Sequence, residues 1–158
     1  MYTEPQIFAN LVALQGHEKN HNQDGKNQFP GYEGHVIHAI FPYTKLKHLD
    51  WITDDFVGRY AITEDTIIGA ESVVANTYLK PHVDRIRRSN LLINVGNNVA
   101  YVEHTIDGVM VEVTIQPGES LLINTKLLHG SNNKTDEDFK LLTINTRQAY
   151  QRRLDEQV

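Results

Sequence analysis

His82 and Asp84 stand two residues apart in the stretch Lys80-Pro81-His82-Val83-Asp84, and His129 follows 47 residues later in Lys126-Leu127-Leu128-His129-Gly130-Ser131-Asn132. In an extended segment successive side chains alternate faces, so His82 and Asp84 point the same way and can grip one ion. Two imidazoles and one carboxylate on one side of a metal leave the remaining positions of an octahedron open. That ligand set suits oxygen-activating, non-haem iron(II). With 8 histidines among 158 residues, roughly half a His-x-Asp arises by chance, so the specificity has to come from the elements around the motif.

Those elements are mostly strands. Thr66 to Ile68, Ser72 to Leu79, Asn90 to Val95, Val99 to Ile106, Val109 to Ile115, Ser120 to Asn124 and Phe139 to Thr146 are β-rich runs bounded by turn residues. Asp107-Gly108 between two of them predicts a two-residue hairpin. Short strands without interposed helices argue for an antiparallel sandwich or barrel, and a jelly roll, a double-stranded β-helix with one or two N-terminal packing helices, fits best. Ile7, Phe8, Leu11, Val12 and Leu14 predict the first helix, started by Thr3 and Pro5 and ended by Gly16. Leu46, Leu49, Ile52, Phe56 and Val57 recur every three or four residues between Thr44 and Tyr60 and predict a second helix backing the sheet. Residues 16–34 read as a long polar loop, either simply mobile or folded over the site mouth. His35 and His38 flank Val36 and Ile37 in a strand running to Phe41, where their odd separation places them on opposite faces. His104 alternates with Val102 and Ile106, has no partner at metal spacing, and reads as structural. The tail from Gln148 is polar and reads as a short terminal helix.

The order His82-x-Asp84, alternating strands, Pro117-Gly118-Glu119, His129-Gly130-Ser131-Asn132 and Lys140 to Arg147 resembles the 2-oxoglutarate-dependent iron(II) dioxygenases, especially the small aspartyl/asparaginyl and prolyl hydroxylase-like members. The resemblance runs from about Ser72 to Arg147. It implies iron(II) held by His82, Asp84 and His129 as the catalytic centre, 2-oxoglutarate as cosubstrate, molecular oxygen, and hydroxylation of an amino acid, peptide side chain or small metabolite. It also implies a cation deep in the barrel for the far carboxylate of the cosubstrate, since an unpaired buried carboxylate is expensive. Lys140 has the better offset from His129, whereas Arg147 shares its strand face with Thr143 and Asn145. Arg88, in the basic run after Asp84, is a third candidate, its alternative being a solvated loop cluster. If His82 faces inward along a regular strand, then Asn76 and Tyr78 do too and become hydrogen-bonding groups of the cosubstrate pocket. On an ordinary half-buried strand they would face solvent.

Length and composition bound these readings. The chain fits one domain, 1–158, large enough to bury a core. A net charge of −5 argues against a general nucleic-acid surface, although Leu142-Thr143 and Arg147-Gln148 are faintly similar to the end of the alkylation-repair dioxygenases. The absence of cysteine removes disulfides, thiolate metal sites and cysteine nucleophiles. Without an export signal or an apolar run of membrane length, the expectation is a soluble cytoplasmic protein with no membrane partner. Two other functional classes remain. One is a cupin-type metal-dependent isomerase or dioxygenase that needs the metal ligands but neither Lys140 nor Arg147. The other is a noncatalytic jelly-roll binding module that holds no metal. Substrate identity and oligomeric state are not written in the sequence.

Overall fold

The computed structural model describes residues 1–15, 19–20, 34–83 and 89–145. Asp84, Arg88, Arg147, the tail and most of the 16–34 segment therefore lie outside the described residues. The chain opens with helix α1 (Glu4–Gln15), whose start is a capping box: Gln6 N–H donates to Thr3 Oγ1 at 3.3 Å and Thr3 N–H donates to Gln6 Oε1 at 2.8 Å.

Among the described residues ten strands follow: β1 (Lys19–Asn20), β2 (His35–Pro42), β3 (Ile67–Val73), β4 (Thr77–His82), β5 (Asn90–Asn94), β6 (Ala100–Ile106), β7 (Val109–Ile115), β8 (Ser120–Ile123), β9 (His129–Asn133) and β10 (Phe139–Asn145). They form two antiparallel sheets, one in the order β1-β2-β3-β10-β5-β8 and the other β4-β9-β6-β7. From β3 onward the chain passes from one sheet to the other at each step except the β6–β7 hairpin, and the last strand returns between β3 and β5. This is the predicted jelly roll.

The sequence expectation of a strand running from Ser72 to Leu79 is corrected. The chain turns a corner at residues 74–76, with Asn76 at φ 55°, and so moves from one sheet to the other. The hairpin at Asp107-Gly108 forms as expected, with both residues at positive φ (51° and 79°), the backbone that matches the twist of the flanking strands.

The expected helix from Thr44 to Tyr60 is also corrected. A 3-10 turn (Tyr43–Lys45) passes into successive turns in which Leu49 N–H bonds Leu46 O and Ile52 N–H bonds Leu49 O, before a short helix α2 (Asp54–Arg59). Thr53 starts α2 by accepting from Phe56 N–H at 3.2 Å, and a residue capping there is not continuing a helix. The three-residue rhythm of turns still points Leu46, Ile52 and Phe56 into the core.

Two apolar clusters result. Ile7, Phe8 and Leu11 of α1 join Phe56, Ile68, Ala70, Leu142 and Ile144 on the outer face of the larger sheet. Val73, Leu79, Leu92, Val102, Ile123, Phe139 and Leu141 fill the space between the sheets. On β10, therefore, odd-numbered residues face the sandwich interior and even-numbered ones face α1. Among the described residues, no helix is long and apolar enough to cross a membrane.

Candidate metal centre

β4 ends at His82 and β9 begins at His129, and the two residues are register partners on adjacent strands. Their ring centroids lie 4.4 Å apart at 53°. His129 is buried and His82 half-buried. Each ring is held the same way: Nδ1 of His82 is 2.9 Å from Lys80 O, and Nδ1 of His129 is 2.9 Å from Leu127 O. A carbonyl oxygen only accepts, so each Nδ1 is the donor, and in the tautomer this selects the lone pair is on Nε2. A hydrogen bond of this kind at the far nitrogen orients a metal-ligating histidine and raises its basicity.

The arrangement depends on a β-bulge. Thr77, Tyr78 and Leu79 pair regularly with Asn133, Asn132 and Ser131, but the register then shifts by one before His82 meets His129. Lys80 and Pro81 thus both stand against Gly130. A Cβ on Gly130 would collide with the Leu79 carbonyl oxygen and lie 3.1 Å from Pro81 N and 3.2 Å from Lys80 C. Glycine at 130 leaves the space the bulge occupies.

This bulge corrects the placement of Asn76 and Tyr78. Along a regular strand they would share the face of His82; with one extra residue inserted, that parity inverts and Leu79 faces inward instead. Tyr78 is 45% exposed, and exposed Asn76 donates through Nδ2 to Asp136 Oδ1 at 3.3 Å in the corner outside the barrel. Lys140 is likewise corrected as a deep cation: it is exposed and lies on the even-numbered face of β10, away from the interior that Leu141, Thr143 and Asn145 line. Arg147 and Arg88 lie outside the described residues, as does Asp84.

His104 has a neighbour that its spacing along the chain did not show. It is register partner to His129 on β6, its strand turns Val102 inward with it, and it is 2% exposed. His82, His129 and His104 therefore form a row across three neighbouring strands. No spacing along the chain signals this, because β6 comes to β9 only through the sandwich topology. Among the described residues, no group of three or more His, Asp or Glu side chains is disposed to hold a metal ion. His82 and His129, the two described residues of the expected triad, stand side by side on adjacent strands, while Asp84 lies outside the described residues.

No protein-family model matches this sequence, and no curated protein matches it. Among solved structures, the chain is similar to the cupin domain of an XRE family transcriptional regulator from Enterobacter cloacae, at 9% identity over 50% of this chain and 78% of that one, TM-score 0.41. It is similar to the Drosophila melanogaster CENP-C cupin domain at 17% identity, 50% and 59% coverage, TM-score 0.42. A third likeness is to an oxalate oxidase, at 9% identity, 74% and 52% coverage, TM-score 0.49. This chain spans little more than half the length of the latter two. The fold is a jelly roll by its own strand order.

Proposed function

We propose that the protein is a metal-dependent oxygenase in which His82, Asp84 and His129 hold iron(II) and 2-oxoglutarate is the cosubstrate, with hydroxylation of an amino acid, peptide side chain or small metabolite as the outcome. The observation that supports a metal is the pairing of two imidazoles on adjacent strands, ring centroids 4.4 Å apart, each with Nδ1 held against a backbone carbonyl so that Nε2 is the nitrogen that would coordinate. Asp84, two residues past His82, supplies the carboxylate on this reading. The iron, once bound, supplies oxygen activation, with 2-oxoglutarate, oxygen and a C–H bond converted to succinate, carbon dioxide and an alcohol.

The chain's own work is positional: the backbone carbonyls of Lys80 and Leu127 fix the rings, and the apolar residues between the sheets exclude water from below. With Lys140 turned outward, the far carboxylate falls to Arg147, which follows Asn145 at an inward-facing interval in the sequence. The outward Lys140 also favours a second reading, about as well supported, in which a cupin-type metal enzyme works without 2-oxoglutarate.

One experiment separates them. Anaerobic titration with iron(II) and then 2-oxoglutarate is expected to give the weak visible charge-transfer band of the chelate, and admission of oxygen is expected to give slow succinate formation without substrate. Iron binding with neither band nor succinate selects the second reading. No iron binding at all leaves a noncatalytic jelly roll.

A further inference from the structure

Among the described residues four asparagines face the interior of the sandwich, and they divide by position. At the end where the 74–76 and 134–138 connections close the barrel, Asn133 Nδ2 lies within hydrogen-bond reach of Val73 O, Val74 O and Glu137 O (3.1, 3.2 and 2.9 Å), and its Oδ1 accepts from Thr135. Asn94 Nδ2 donates to Asn98 O and to Ile115 O in the opposite sheet, while its Oδ1 accepts from Gly96 N–H. Both amides are used at each end, as buried polar groups ordinarily are.

Asn90 and Asn145 lie at the other end. Asn90 is the first residue of β5 and Asn145 the last of β10, and they are 5% and 9% exposed. The register of these strands pairs Thr143 with Leu92 and Ile144 with Leu91, so the next step sets Asn145 opposite Asn90. Side chains so placed are about 5 Å apart. Asn90 Oδ1 and Asn145 Nδ2 are buried with no hydrogen-bond partner, and the two do not bond each other. Leaving a buried donor and a buried acceptor unmet costs about 1–3 kcal/mol each.

The chain path puts this pair across from the histidines. β4 delivers His82 to the end from which the chain returns as Asn90, and β9 leaves that end at His129 before β10 climbs back to Asn145. At this end, therefore, the smaller sheet presents imidazole and the facing sheet, about 10 Å away, presents carboxamide.

We infer that Asn90 and Asn145 form a ligand subsite for a primary carboxamide. An acceptor and a donor side by side are complemented by a group that carries a donor and an acceptor on neighbouring atoms: its N–H2 to Asn90 Oδ1, its C=O from Asn145 Nδ2. A carboxylate brings acceptors alone and sets an oxygen against Asn90 Oδ1; an ammonium brings donors alone and leaves Asn145 Nδ2 unmet. Every described residue in this interior is uncharged apart from histidine and Glu71, so a neutral group also escapes the cost of burying a charge. Binding at this wall needs no metal.

The test uses metal-free, full-length protein labelled with 15N and three probes of one shape: propionamide, propionate and n-propylammonium. Propionamide is expected to shift the side-chain NH2 signals of Asn90 and Asn145 and to bind about tenfold more tightly than either ion, as one or two well-placed hydrogen bonds allow. Asn145→Asp, which keeps the shape and removes the donor, is expected to abolish that preference and favour n-propylammonium. Propionate binding as tightly as propionamide, or shifts that bypass both asparagines, overturns the assignment; should Asn145→Asp not fold, the wild-type signals alone decide. A parallel cobalt(II) titration keeps the two readings apart, because a wild-type protein that binds propionamide but no cobalt sinks the metal centre and leaves the carboxamide subsite standing.

Discussion

His82 and His129 show how a backbone carbonyl can orient a side chain: with Nδ1 set against Lys80 O and Leu127 O, Nε2 is the nitrogen that would coordinate on the proposed reading. Each single substitution to alanine is expected to weaken iron(II) or cobalt(II) binding at least about tenfold, the usual scale for losing part of a metal site, with the far-ultraviolet circular dichroism unchanged. Unaltered affinity in a His82→Ala, Asp84→Ala, His129→Ala triple variant would sink the assignment. A second titratable group makes a pH prediction. Burial, together with the hydrogen bond its O–H donates to Glu4 Oε1 at 2.8 Å, pushes the Tyr60 phenol up to about 12. The folded state thus holds this proton more tightly than the unfolded state, whose tyrosine titrates near 10. The contribution is fully present below pH 10 and is lost as pH rises through 12. Urea unfolding of wild type and Tyr60→Phe at pH 9 and pH 11.5 should show the wild-type advantage shrinking at the higher pH; an equal difference at both would contradict it.

At the scale of elements, the β4 bulge and Gly130 are one device, since the bulge turns His82 inward and the glycine leaves room for it. Gly130→Ala is expected to displace backbone at Leu79 to Pro81, a contact that no side-chain rotation relieves, and so to weaken metal binding well beyond its effect on thermal stability. Gly108→Ala serves as the contrast. It has open space around the new methyl but a φ of +79°, so it should cost about 1 kcal/mol in stability and leave the metal titration unchanged. Equal metal affinity in Gly130→Ala and wild type would show that the bulge tolerates a side chain there.

For the whole molecule, the closed end of the barrel is held by asparagines that reach across connections and sheets. Asn133 is 1% exposed and ties the 73–74 corner to Glu137 and Thr135. Its replacement by alanine strands several buried carbonyls, and a loss of about 2–4 kcal/mol is expected by chemical denaturation. Because this end lies opposite the histidines, any Asn133→Ala protein that still folds should bind metal as wild type does; a lost metal site with stability intact would mean that the two ends are coupled.

The sequence by itself determined what is local. Thr3-Glu4-Pro5-Gln6 specifies a capped helix start, Asp107-Gly108 specifies its hairpin, and the alternating runs specify strands enough for a jelly roll, because capping, turn geometry and strand alternation act within a few residues. The two histidines of the candidate centre were picked out by residue type, His82 through the His82-x-Asp84 pattern, while their pairing came from β4 and β9 meeting. Only the tertiary structure decided which way the side chains between them face. The bulge that inverts Tyr78 and Asn76 exists because strand β9, 47 residues away in sequence, presents a glycine at 130, and the outward Lys140 follows from α1 covering the even-numbered face of β10. Neither partner is near in sequence. His104 beside His129, and Asn145 across from Asn90, are likewise products of strand order: a sheet brings together residues whose separation along the chain carries no periodic signal, so pairing across strands is settled by packing and register rather than by local pattern.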